Sequence, residues 1–558
     1  MINDNSSISK QRILKDILGY KISDNRNIVE LLEYEGISYW WYIDFSIYNN
    51  IDNLDSRLEK RVDINIAKKL FWNAPLLVYS FAGAVYVIVS NTVRHIFGLS
   101  RENIGGVDIL YYIINSEWRQ DIVGELKNIY HSDIIENLLK TNKVTALYDP
   151  GFFGALSPKI IRAIYSDKKV PRLPTYVNSS FISLTDFIKE HRARKHFSAI
   201  WKLIENDEKW FSLWEEFSGL SVPVMKSIIE DNICYNAPLA VSLINNRNKI
   251  ISKLNPSIIV MRNEQMIEGR SLVHVARKYN IPTVGIQHGL INHHPAYFNH
   301  DSNDVLIANH NDCHSFPIPD VTSVWGNMEY DILTKDAGYP KDQVVVTGNP
   351  RYDYLQFSSK NYNRMDFCRR YGINPASFII LWVTQSHGWS DEENHLYFKE
   401  VFETFSELGE FTLVIKQHPG ESERYRNFID EYLGKYQMKC SVIVPDKMEN
   451  TTEMVFCSDI IINKNSTTGH EAIVFHKTMI IMDFSDMPDS GEFVLEGVGL
   501  PVYHPGDLLP AICSIINNNI DLREKQELYI RNHMYKIDGC SAKRVANVIS
   551  ECMEHRDN

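Results

Sequence analysis

Cysteine pairs, a secretory signal and an excess of positive charge are all missing from this sequence of 558 residues. The eight cysteines are scattered with no Cys-X-X-Cys pair, which argues against a disulfide framework and against a zinc knuckle. The first residues, MINDNSSISKQ, contain no apolar run of the kind that a secretory signal needs. These absences favour a cytoplasmic protein with reduced thiols.

The net charge of the chain does not suit a general nucleic-acid binder. The formal net charge is −12 and the isoelectric point is about 5.9, whereas nonspecific nucleic-acid binding needs a basic face. The sequence also lacks Gly-X-Gly-X-X-Gly and Gly-X-X-X-X-Gly-Lys-Ser/Thr. We therefore expect no nucleic-acid partner, no dinucleotide fingerprint and no P-loop.

One apolar stretch raises the question of a membrane span. Residues 70–93 carry no charge and are nearly long enough to cross a bilayer. The stretch contains Asn, Pro, Gly and Ser residues, and its second half is rich in β-branched side chains. These features favour a buried strand or strand pair over a membrane helix.

Apolar strands alternate with amphipathic helices through most of the chain, which is too long for one hydrophobic core. A strand at 256–261, a helix at 269–279 and a strand at 281–286 form a β-α-β unit. Strand–helix–strand with short connections implies a parallel sheet. The same alternation returns after residue 378. The predicted fold class is therefore α/β, with two Rossmann-like domains facing a central cleft.

The composition also indicates where the domains meet. The stretch HNDCHSFPIPDV, near residues 310–322, is polar and contains proline, which is typical of a linker. We predict an N-terminal acceptor-side α/β domain over residues 1–315, with a helical insertion. A nucleotide-sugar-binding Rossmann-like domain follows over residues 316–520, and C-terminal helices occupy residues 521–558.

Two local patterns in the first domain allow more than one interpretation. The aromatic run at residues 39–45 is typical of a strand or core segment rather than of a sugar-binding platform. The basic cluster at residues 189–196 lies in a helical region. It is either a solvated helix face or a patch that contacts anionic lipid or an anionic polymer. A peripheral contact with the inner membrane face is the expectation that goes with the second interpretation.

A histidine at a predicted strand end is the first candidate for chemistry. The strand at 283–286 stops at Gln287, His288 and Gly289, and ligands of open α/β sheets bind where strands end. Gly289 allows a sharp turn that leaves the imidazole uncrowded. An imidazole titrates near pH 6.5, so His288 is a candidate general base. A buried, hydrogen-bonded core histidine is the alternative.

Further histidines follow closely, but they match no metal-site pattern. Their spacing does not reproduce His-Glu-X-X-His, and few carboxylates stand beside them. We therefore expect no bound metal. The histidines concerned are His293, His294, His300, His310 and His314.

Two later strand ends carry groups that suit a phosphate. Lys416 and His418 alternate along a strand and so share a face, and Pro419 fixes the chain behind them. A purely structural Lys/His pair is the alternative. The run 466–468, Ser-Thr-Thr, follows another strand and opens a helix, where hydroxyls and free N–H groups make an anion site. Glu471, one turn further on, can accept hydrogen bonds from ribose hydroxyls.

Polar residues at two further strand ends complete the predicted nucleotide pocket. Gln385 follows the strand that begins at Phe378, and Asn349 and Arg351 lie in the turn after another strand. The predicted nucleotide-binding residues are therefore Lys416, His418, Ser466, Thr467, Thr468, Glu471, Gln385, Asn349 and Arg351.

These motifs in combination resemble the GT-B glycosyltransferases of bacterial and archaeal surface polysaccharide synthesis. The similar pattern includes capsule transferases of the 3-deoxy-manno-octulosonic acid and polysialic acid types, and CDP-glycerol glycerophosphotransferases. The resemblance covers roughly residues 256–485. The motifs that carry it are QHG at 287–289, VVTGNPRYD at 345–353, KQHPGE at 416–421 and NSTTGHEA at 465–472.

The resemblance implies a role for several residues. His288 would lie near the acceptor and the leaving group, and His418 would contact the nucleotide phosphate. Ser466 and Thr467 would bind the phosphates, and Glu471 would bind the ribose. No metal or other cofactor is implied, because basic side chains and a helix start carry the leaving-group charge and the nucleotide sugar is a co-substrate.

Two departures from the family pattern leave the donor open. The chain has Ser-Thr-Thr in place of paired serines, and its Gln-His-Gly lacks the tryptophan of the glycerophosphotransferases. CMP-, CDP- and UDP-linked donors therefore all remain. With a CMP-linked acidic sugar, the resemblance implies a separate carboxylate base. The candidates for that base are Asp149 and Glu264, each just after a predicted strand.

The predicted function is the transfer of a sugar from a nucleotide-activated donor to a surface glycan or a lipid-linked acceptor, by a metal-independent enzyme. Two alternatives stay open. A non-hydrolysing UDP-sugar 2-epimerase shares the two-domain fold and needs no acceptor. A non-catalytic sugar-nucleotide-binding assembly protein would need no catalytic base.

Overall fold

A computed structural model gives the fold of the chain, which divides into two compact units. The first contains the described residues up to Thr347 and those from Ala542 onwards, and the second is Gly348–Ser541. The structure describes residues 4–52, 107–114, 118–120, 126–128, 132–140, 144–149, 175–177, 183–262, 264–289, 291, 317–353, 355, 360–384, 391–409, 411–418, 421, 423–464, 466–485, 493–518 and 520–554.

Seventeen strands occur in the described residues, and most belong to two large sheets. Numbered in chain order they are β1 (Glu33–Tyr34), β2 (Ile37–Ser38), β3 (Ile109–Ile114), β4 (Trp118–Gln120), β5 (Leu126–Asn128), β6 (Val144–Asp149), β7 (Thr175–Val177), β8 (Ile258–Met261), β9 (Thr283–Ile286), β10 (Val321–Val324), β11 (Val344–Val346), β12 (Phe378–Val383), β13 (Phe411–Lys416), β14 (Ser441–Ile443), β15 (Ile460–Asn463), β16 (Thr478–Met482) and β17 (Leu500–Val502).

Helices fill most of the connections between these strands. In the first unit the α-helices are Asp4–Gly19, Ile28–Leu31, Trp40–Asp52, Ser132–Leu138, Leu184–Ile204, Glu208–Ser218, Val222–Asp231, Ala237–Leu254, Ile267–Lys278, Asn327–Asp331 and Ser541–Glu554. In the second unit they are Arg364–Tyr371, Asp391–Glu407, Glu423–Lys435, Thr451–Cys457, Thr468–Val474, Leu508–Asn518 and Arg523–His533.

The first large sheet is parallel and has the order β11-β10-β9-β8-β3-β6-β7. Its central strands β8 and β9 are buried at every position. Parallel strands covered on both faces are expected to be continuously apolar, as these are. The strand order reverses between β3 and β8, which places a topological switch point there.

The second large sheet is also parallel, with the order β14-β13-β12-β15-β16-β17. Its strand order reverses between β12 and β15. Both sheets therefore follow the doubly wound arrangement in which the chain starts at the centre and grows outward in both directions. The predicted fold class of two Rossmann-like α/β domains is confirmed.

Alternation along β12 divides the core of the second unit between the two faces of its sheet. Ile379 and Leu381 point into one hydrophobic cluster, and Ile380 and Trp382 point into the other. Because side chains of a strand alternate between faces, one strand anchors helices on both sides. Both faces of this sheet are therefore covered by hydrophobic core.

The first unit ends later than the sequence predicts. The predicted junction at residues 315/316 precedes β10 and β11, but both strands pair in the first sheet, with Thr322 opposite Gly285 and Val344. The unit therefore extends to Thr347. The polar, proline-containing stretch before β10 resembled a linker, although the strand after it bonds to β9 rather than opening a new sheet.

The C-terminal residues do not form one separate helical element. The helix Arg523–His533 lies in the second unit, whereas the helix that starts at Ser541 packs on the first sheet. Val545 and Ile549, one turn apart on that helix, join the same core cluster as Ile109 of β3. The apolar spacing along this helix explains the packing, since residues four apart share a face.

The structure describes the aromatic run at residues 39–45 but not the apolar stretch at residues 70–93. The aromatic run is a buried part of the core, but it opens the helix Trp40–Asp52 instead of forming a strand. The apolar stretch at 70–93 lies outside the described residues. Among the helices that the structure describes, none is both long and apolar enough to cross a membrane.

Candidate functional site

The switch point of the second sheet defines the candidate site. Strands β12 and β15 are neighbours there, and their connections leave in opposite directions. In open α/β sheets, ligands bind beyond the carboxyl ends of the strands at such a point. The residues that follow β15 are Lys464 to Glu471, which include the predicted Ser-Thr-Thr run.

The Ser-Thr-Thr run forms a tight turn that is tied to the end of β15. Asn463 accepts a hydrogen bond from the backbone N–H of Ser466 at 3.2 Å through its side-chain oxygen. The Ser466 hydroxyl accepts one from the N–H of Thr468 at 3.3 Å and lies 3.2 Å from the Thr468 hydroxyl. These bonds hold two hydroxyl groups at the carboxyl edge of the sheet.

The helix after this turn packs very closely on the sheet. It runs over Thr468–Val474 and so begins earlier than the predicted start at Glu471. A Cβ at Gly469 would lie 2.9 Å from the amide nitrogen of Asn463 and 2.9 Å from the ring of Phe493. Only glycine fits at that position, which keeps the turn pressed against the strand end.

Arg351 joins the turn to the buried Glu471. Its guanidinium donates to the Thr467 hydroxyl at 3.2 Å and to the Glu471 carboxylate at 3.3 Å. Glu471 is 2% exposed, and burial raises the pKa of its carboxyl group, an effect opposed by the positive charge of Arg351. A cation, a hydroxyl and a carboxylate therefore meet at the carboxyl end of β15.

Asn349 holds Arg351 in place. Its side-chain oxygen accepts the backbone N–H of Arg351 at 3.0 Å and so caps the short 3₁₀ turn Pro350–Tyr352. Asn349 is only 2% exposed, and its amide nitrogen is buried without an acceptor among the described residues. It therefore positions the arginine, and neither N–H of its side-chain amide has an acceptor among the described residues.

A buried hydrogen-bond chain, not foreseen from the sequence, supports this arrangement. The Nδ1 of His470 lies 2.6 Å from the Tyr352 hydroxyl, and its Nε2 lies 3.1 Å from the Tyr529 hydroxyl. Burial lowers the pKa of His470 to about 3, so the ring is neutral at physiological pH. Tyr352 directly follows Arg351 in the chain, and His470 directly precedes Glu471. The contact between Tyr352 and His470 therefore supports the arginine and the glutamate of the site.

Lys416 differs from the prediction. It is 2% exposed, and its ammonium group donates to the carbonyl oxygens of Gln417, at 2.8 Å, and Lys447, at 2.6 Å. Burial lowers its pKa to about 8. Lys416 therefore ties the end of β13 to the loop after β14, and its burial keeps a phosphate from reaching the ammonium group unless the surroundings rearrange.

The turn after β13 is fixed by a buried threonine and glutamate. The Thr384 hydroxyl donates to both carboxylate oxygens of Glu421, at 2.9 and 2.8 Å. It also accepts the backbone N–H of His418 at 3.3 Å. His418 is half-buried and its backbone is held at the carboxyl edge next to the switch point. Gln385, which follows Thr384, lies outside the described residues.

A charged pair that the sequence did not suggest lies at the ends of β15 and β16. The Lys464 ammonium is 3.1 Å from a carboxylate oxygen of Asp483, and Asp483 is 1% exposed. The same carboxylate accepts a hydrogen bond from the Ser485 hydroxyl at 2.7 Å. The only sequence signal for this pair is position: Lys464 directly follows β15, and Asp483 directly follows β16.

In the first unit, Gln287 fixes the turn that carries His288. Its side-chain oxygen accepts the N–H of Trp325 at 2.7 Å, and its side-chain nitrogen donates to the carbonyl of Gly289 at 2.8 Å. Gln287 is 2% exposed, whereas His288 is half-buried. The turn is therefore braced against the end of β10, and the imidazole sits at the carboxyl edge of the first sheet.

The two candidate carboxylates also belong to the first unit. Glu264 follows β8 at the switch point, is 5% exposed, and burial raises its pKa to about 7. A Cβ at Gly285 would lie 3.5 Å from its carboxyl group, so the side chain folds back over β9. One carboxyl oxygen has no hydrogen-bond partner among the described residues. Asp149 ends β6, opposite Ile114 in the register.

Metal ligands do not cluster in the part of the chain that the structure describes. No group of three or more His, Cys, Asp or Glu side chains there could hold a metal ion. The histidines between residues 293 and 314 lie outside the described residues.

No family model and no characterised protein of similar sequence matches the chain. Solved structures do match. A UDP-GlcNAc 2-epimerase from Neisseria meningitidis is 14% identical with a TM-score of 0.47, and the match covers 80% of this chain and 100% of that one. A glycosyltransferase from Rickettsia africae is 13% identical, with a TM-score of 0.46 and 81% and 99% coverage.

A wall teichoic acid polymerase, TagF, matches over 87% of this chain and 99% of its own, at 10% identity and a TM-score of 0.42. Likeness at this level leaves the reaction to be argued from the residues of this chain. The residues that support an argument are those at the carboxyl end of β15.

Proposed function

We propose that the protein is a glycosyltransferase and that its second unit binds the nucleotide of an activated sugar donor. One observation carries the proposal. Arg351 lies within hydrogen-bond distance of Thr467 and Glu471 at the carboxyl end of β15, at the switch point of a doubly wound sheet. This is where such sheets bind nucleotides.

The chemistry of these groups suits a nucleoside diphosphate or monophosphate leaving group. A guanidinium binds phosphate oxygens with two parallel, charge-assisted hydrogen bonds. The hydroxyls of Ser466 and Thr467 add neutral donors. Glu471 holds Arg351 and is 2% exposed, so it would accept hydrogen bonds from ribose hydroxyls only if it became exposed. The negative charge that develops on the leaving group would thus meet fixed donors without a metal ion.

His288 is the proposed general base for the acceptor. The acceptor hydroxyl oxygen forms a bond to the anomeric carbon while the bond from that carbon to the phosphate oxygen breaks. The nucleotide leaves with the bonding electron pair, and His288 takes the proton of the hydroxyl. The acceptor class is a surface glycan or a lipid-linked glycan, and the donor is a CMP-, CDP- or UDP-linked sugar.

The candidate carboxylates contribute unequally to this proposal. Glu264 has a pKa near neutrality, as a general base at pH 7 requires, but it is almost completely buried. It could act only if its surroundings opened to the acceptor. Asp149 remains a candidate on the basis of its position at the end of β6.

Thermal unfolding with CMP, CDP, UDP and GDP tests the nucleotide site. A ligand at about 100 times its Kd adds about 2.7 kcal/mol to the free energy of unfolding. For a unit of this size that is roughly 5–10 °C in Tm. We expect one pyrimidine nucleotide to give such a shift, and the double variant Ser466→Ala, Thr467→Val to lose most of it.

Ser406→Ala is the matched control, because that hydroxyl is bonded to the Glu403 carbonyl at 2.7 Å near the end of the helix Asp391–Glu407. It should leave the shift intact. No shift with any of the four nucleotides would contradict the proposal.

A second assay separates transfer from the two alternatives. Incubation with UDP-sugar alone would produce an epimer if the protein were an epimerase. If it were a non-catalytic assembly protein, His288→Ala would still support polymer synthesis. The transferase proposal expects neither result, and it expects nucleotide release that depends on an acceptor.

A further inference from the structure

The helix Leu184–Ile204 separates its charged residues by sign. Its two acids, Asp186 and Glu190, are 1% and 6% exposed. Its exposed charged residues are all basic, and together they form what is called here the basic face. The members of the basic face are Lys189, Arg192, Lys195 and Lys202.

Internal pairs neutralise both acids of this helix. Asp186 accepts hydrogen bonds from the Lys249 ammonium at 2.6 and 2.7 Å, and it also caps the helix start at Ser183. Glu190 pairs with Arg194, and both side chains are less than one-tenth exposed. The acids are thus committed to the interior and do not offset the charge of the basic face.

The cations of the basic face lie on one side of the helix but do not converge. Their positions recur every three or seven residues, which keeps them within one side at 3.6 residues per turn. Lys189 and Lys202 are 13 positions apart, or about 20 Å at 1.5 Å per residue. A single small anion could not contact them together, whereas an extended anionic surface could.

The neighbouring helices extend the positive surface. The helix Ala237–Leu254 contains no acidic residue, and it lies between two cations. Lys189 donates to Asn245 at 2.8 Å, and Lys278 of the next helix donates to Asn248 at 3.0 Å. Asn245 and Asn248 are one turn apart, so both ammonium groups lie beside the same part of that helix.

Acidic residues of two neighbouring segments lie beside this surface. Glu33 and Glu35 are exposed in the β1–β2 hairpin, where the Tyr34 ring packs on His196 at 4.9 Å. Glu205 follows the other end of the helix and is half-buried. Glu35 and Arg192 both act on the Tyr34 hydroxyl, so this acid offsets part of the charge of Arg192. The four cations of the basic face still outnumber these three acids.

Exposed leucines accompany the cations. Leu203 is 52% exposed, and Leu239 on the neighbouring helix is 37% exposed. The two helices run antiparallel, because Asp186 contacts Lys249 whereas Lys189 contacts Asn245. Leu239 therefore lies toward the end of the basic face that carries Leu203. Basic residues beside exposed leucines are the pattern of a protein that rests on a lipid headgroup region.

We propose that the basic face docks the protein on the surface of an anionic lipid bilayer. The length of the surface, its local positive charge in a chain of net charge −12, and the accompanying leucines support this occupant. The attraction acts within a Debye length of the headgroups. The remainder of the chain is acidic and is repelled, so the contact also orients the first unit. This proposal does not depend on the transferase activity.

Co-sedimentation with vesicles tests the proposal. Vesicles of phosphatidylcholine with about 30% phosphatidylglycerol should bind the full chain at low salt, and binding should weaken as salt screens the charges. The triple variant Lys189→Gln, Lys195→Gln, Lys202→Gln removes about 1 kcal/mol per lysine. Binding should fall roughly 100-fold.

A matched variant removes the same charge elsewhere. Lys360, Lys439 and Lys525 are exposed residues of the second unit, and the variant with glutamine at all three should bind within about threefold of the natural chain. Equal losses in both variants would contradict a specific face. Unchanged Tm values confirm that each variant is folded.

Three results would overturn the proposal. The first is no binding to anionic vesicles at low salt, and the second is equal binding to vesicles of phosphatidylcholine alone. The third is binding to long-chain polyphosphate, lost in the first triple variant, without any binding to vesicles. That result would assign the basic face to an anionic polymer instead of a membrane.

Discussion

Burial decides what the charged residues of this protein can do. Lys416 and Glu264 each lie at the carboxyl edge of a sheet, as predicted for functional residues, yet they are 2% and 5% exposed. A residue's position at a strand end can be read from the sequence. Whether the side chain turns outward or folds back depends on neighbours from distant parts of the chain, such as Lys447 and Gly285.

The role of Lys416 as a structural tie leads to a first prediction. Lys416→Met removes the donor from one buried and one partly buried carbonyl oxygen, which costs about 1–3 kcal/mol in the free energy of unfolding. Nucleotide affinity should change less than threefold if the ammonium does not contact phosphate. Urea denaturation and nucleotide titration measure the two effects. A large loss of affinity with unchanged stability would restore Lys416 to the phosphate site.

Glu264 should make the first unit less stable as the pH rises. Its pKa is about 7 in the folded chain and near 4.5 in the unfolded chain, so between these values the folded state binds the extra proton. Stability therefore falls from pH 4.5 to pH 7, by about 3 kcal/mol. Glu264→Gln should remove that part of the slope. Identical pH dependence of unfolding in variant and natural chain would refute the assignment.

Short turns at strand ends are the elements that organise both sheets. The QHG turn is held by Gln287, and the Ser-Thr-Thr turn is held by Asn463. Gln287 directly follows a buried strand and Asn463 ends one, so both polar residues can be identified from the sequence. Asn463 bonds to Ser466, three positions further along the chain. Gln287 bonds to Trp325, which could not be foreseen because it comes from a distant segment.

Loss of the Gln287 brace should affect catalysis more than binding. Gln287→Ala frees the turn that carries His288, so a proton acceptor is held less accurately. We expect kcat of transfer to fall by about 10-fold or more, while the Kd for nucleotide stays within about twofold. Asn248→Ala is the control. It removes an exposed hydrogen bond from Lys278 and should change neither quantity. Equal effects of both variants would argue against the brace.

The His470 chain should make the second unit sensitive to acid. The pKa of His470 is about 3 in the folded chain, against about 6.5 when unfolded, so the unfolded state binds the extra proton between these values. Its contribution is complete above pH 6.5 and declines as the pH falls, by about 2 kcal/mol at pH 5. His470→Gln should be less stable at pH 7 but lose less stability on acidification. A steeper loss in the variant would contradict this.

At the scale of the whole molecule, the sequence was sufficient for the fold class but not for the boundaries. Repeated β-α-β units require parallel strands, and both sheets have them. Strand order, and with it the switch points between β3 and β8 and between β12 and β15, depends on tertiary pairing. For the same reason the junction lies at Thr347/Gly348 and the last helix joins the first unit.

The sequence likewise predicts part of the candidate site but not all of it. The turn residues Ser466 to Thr468, with Glu471 and Arg351, were selected from strand ends alone, and the structure brings them together in the second unit. The sequence does not predict the contacts of Tyr352, His470 and Tyr529, because a buried histidine inside a helix carries no signal that separates it from other core residues.

Calorimetric titration of the preferred nucleotide into three proteins tests the central claim most directly. These are the natural chain, Arg351→Ala and the control Arg370→Ala, which breaks a more exposed arginine–glutamate pair, with Glu453, in the same unit. Removing a charged donor to phosphate costs about 1.5–3 kcal/mol, or roughly 10- to 150-fold in Kd. Arg351→Ala should show that loss and Arg370→Ala should not. Unchanged affinity in Arg351→Ala would contradict a nucleotide site at the end of β15.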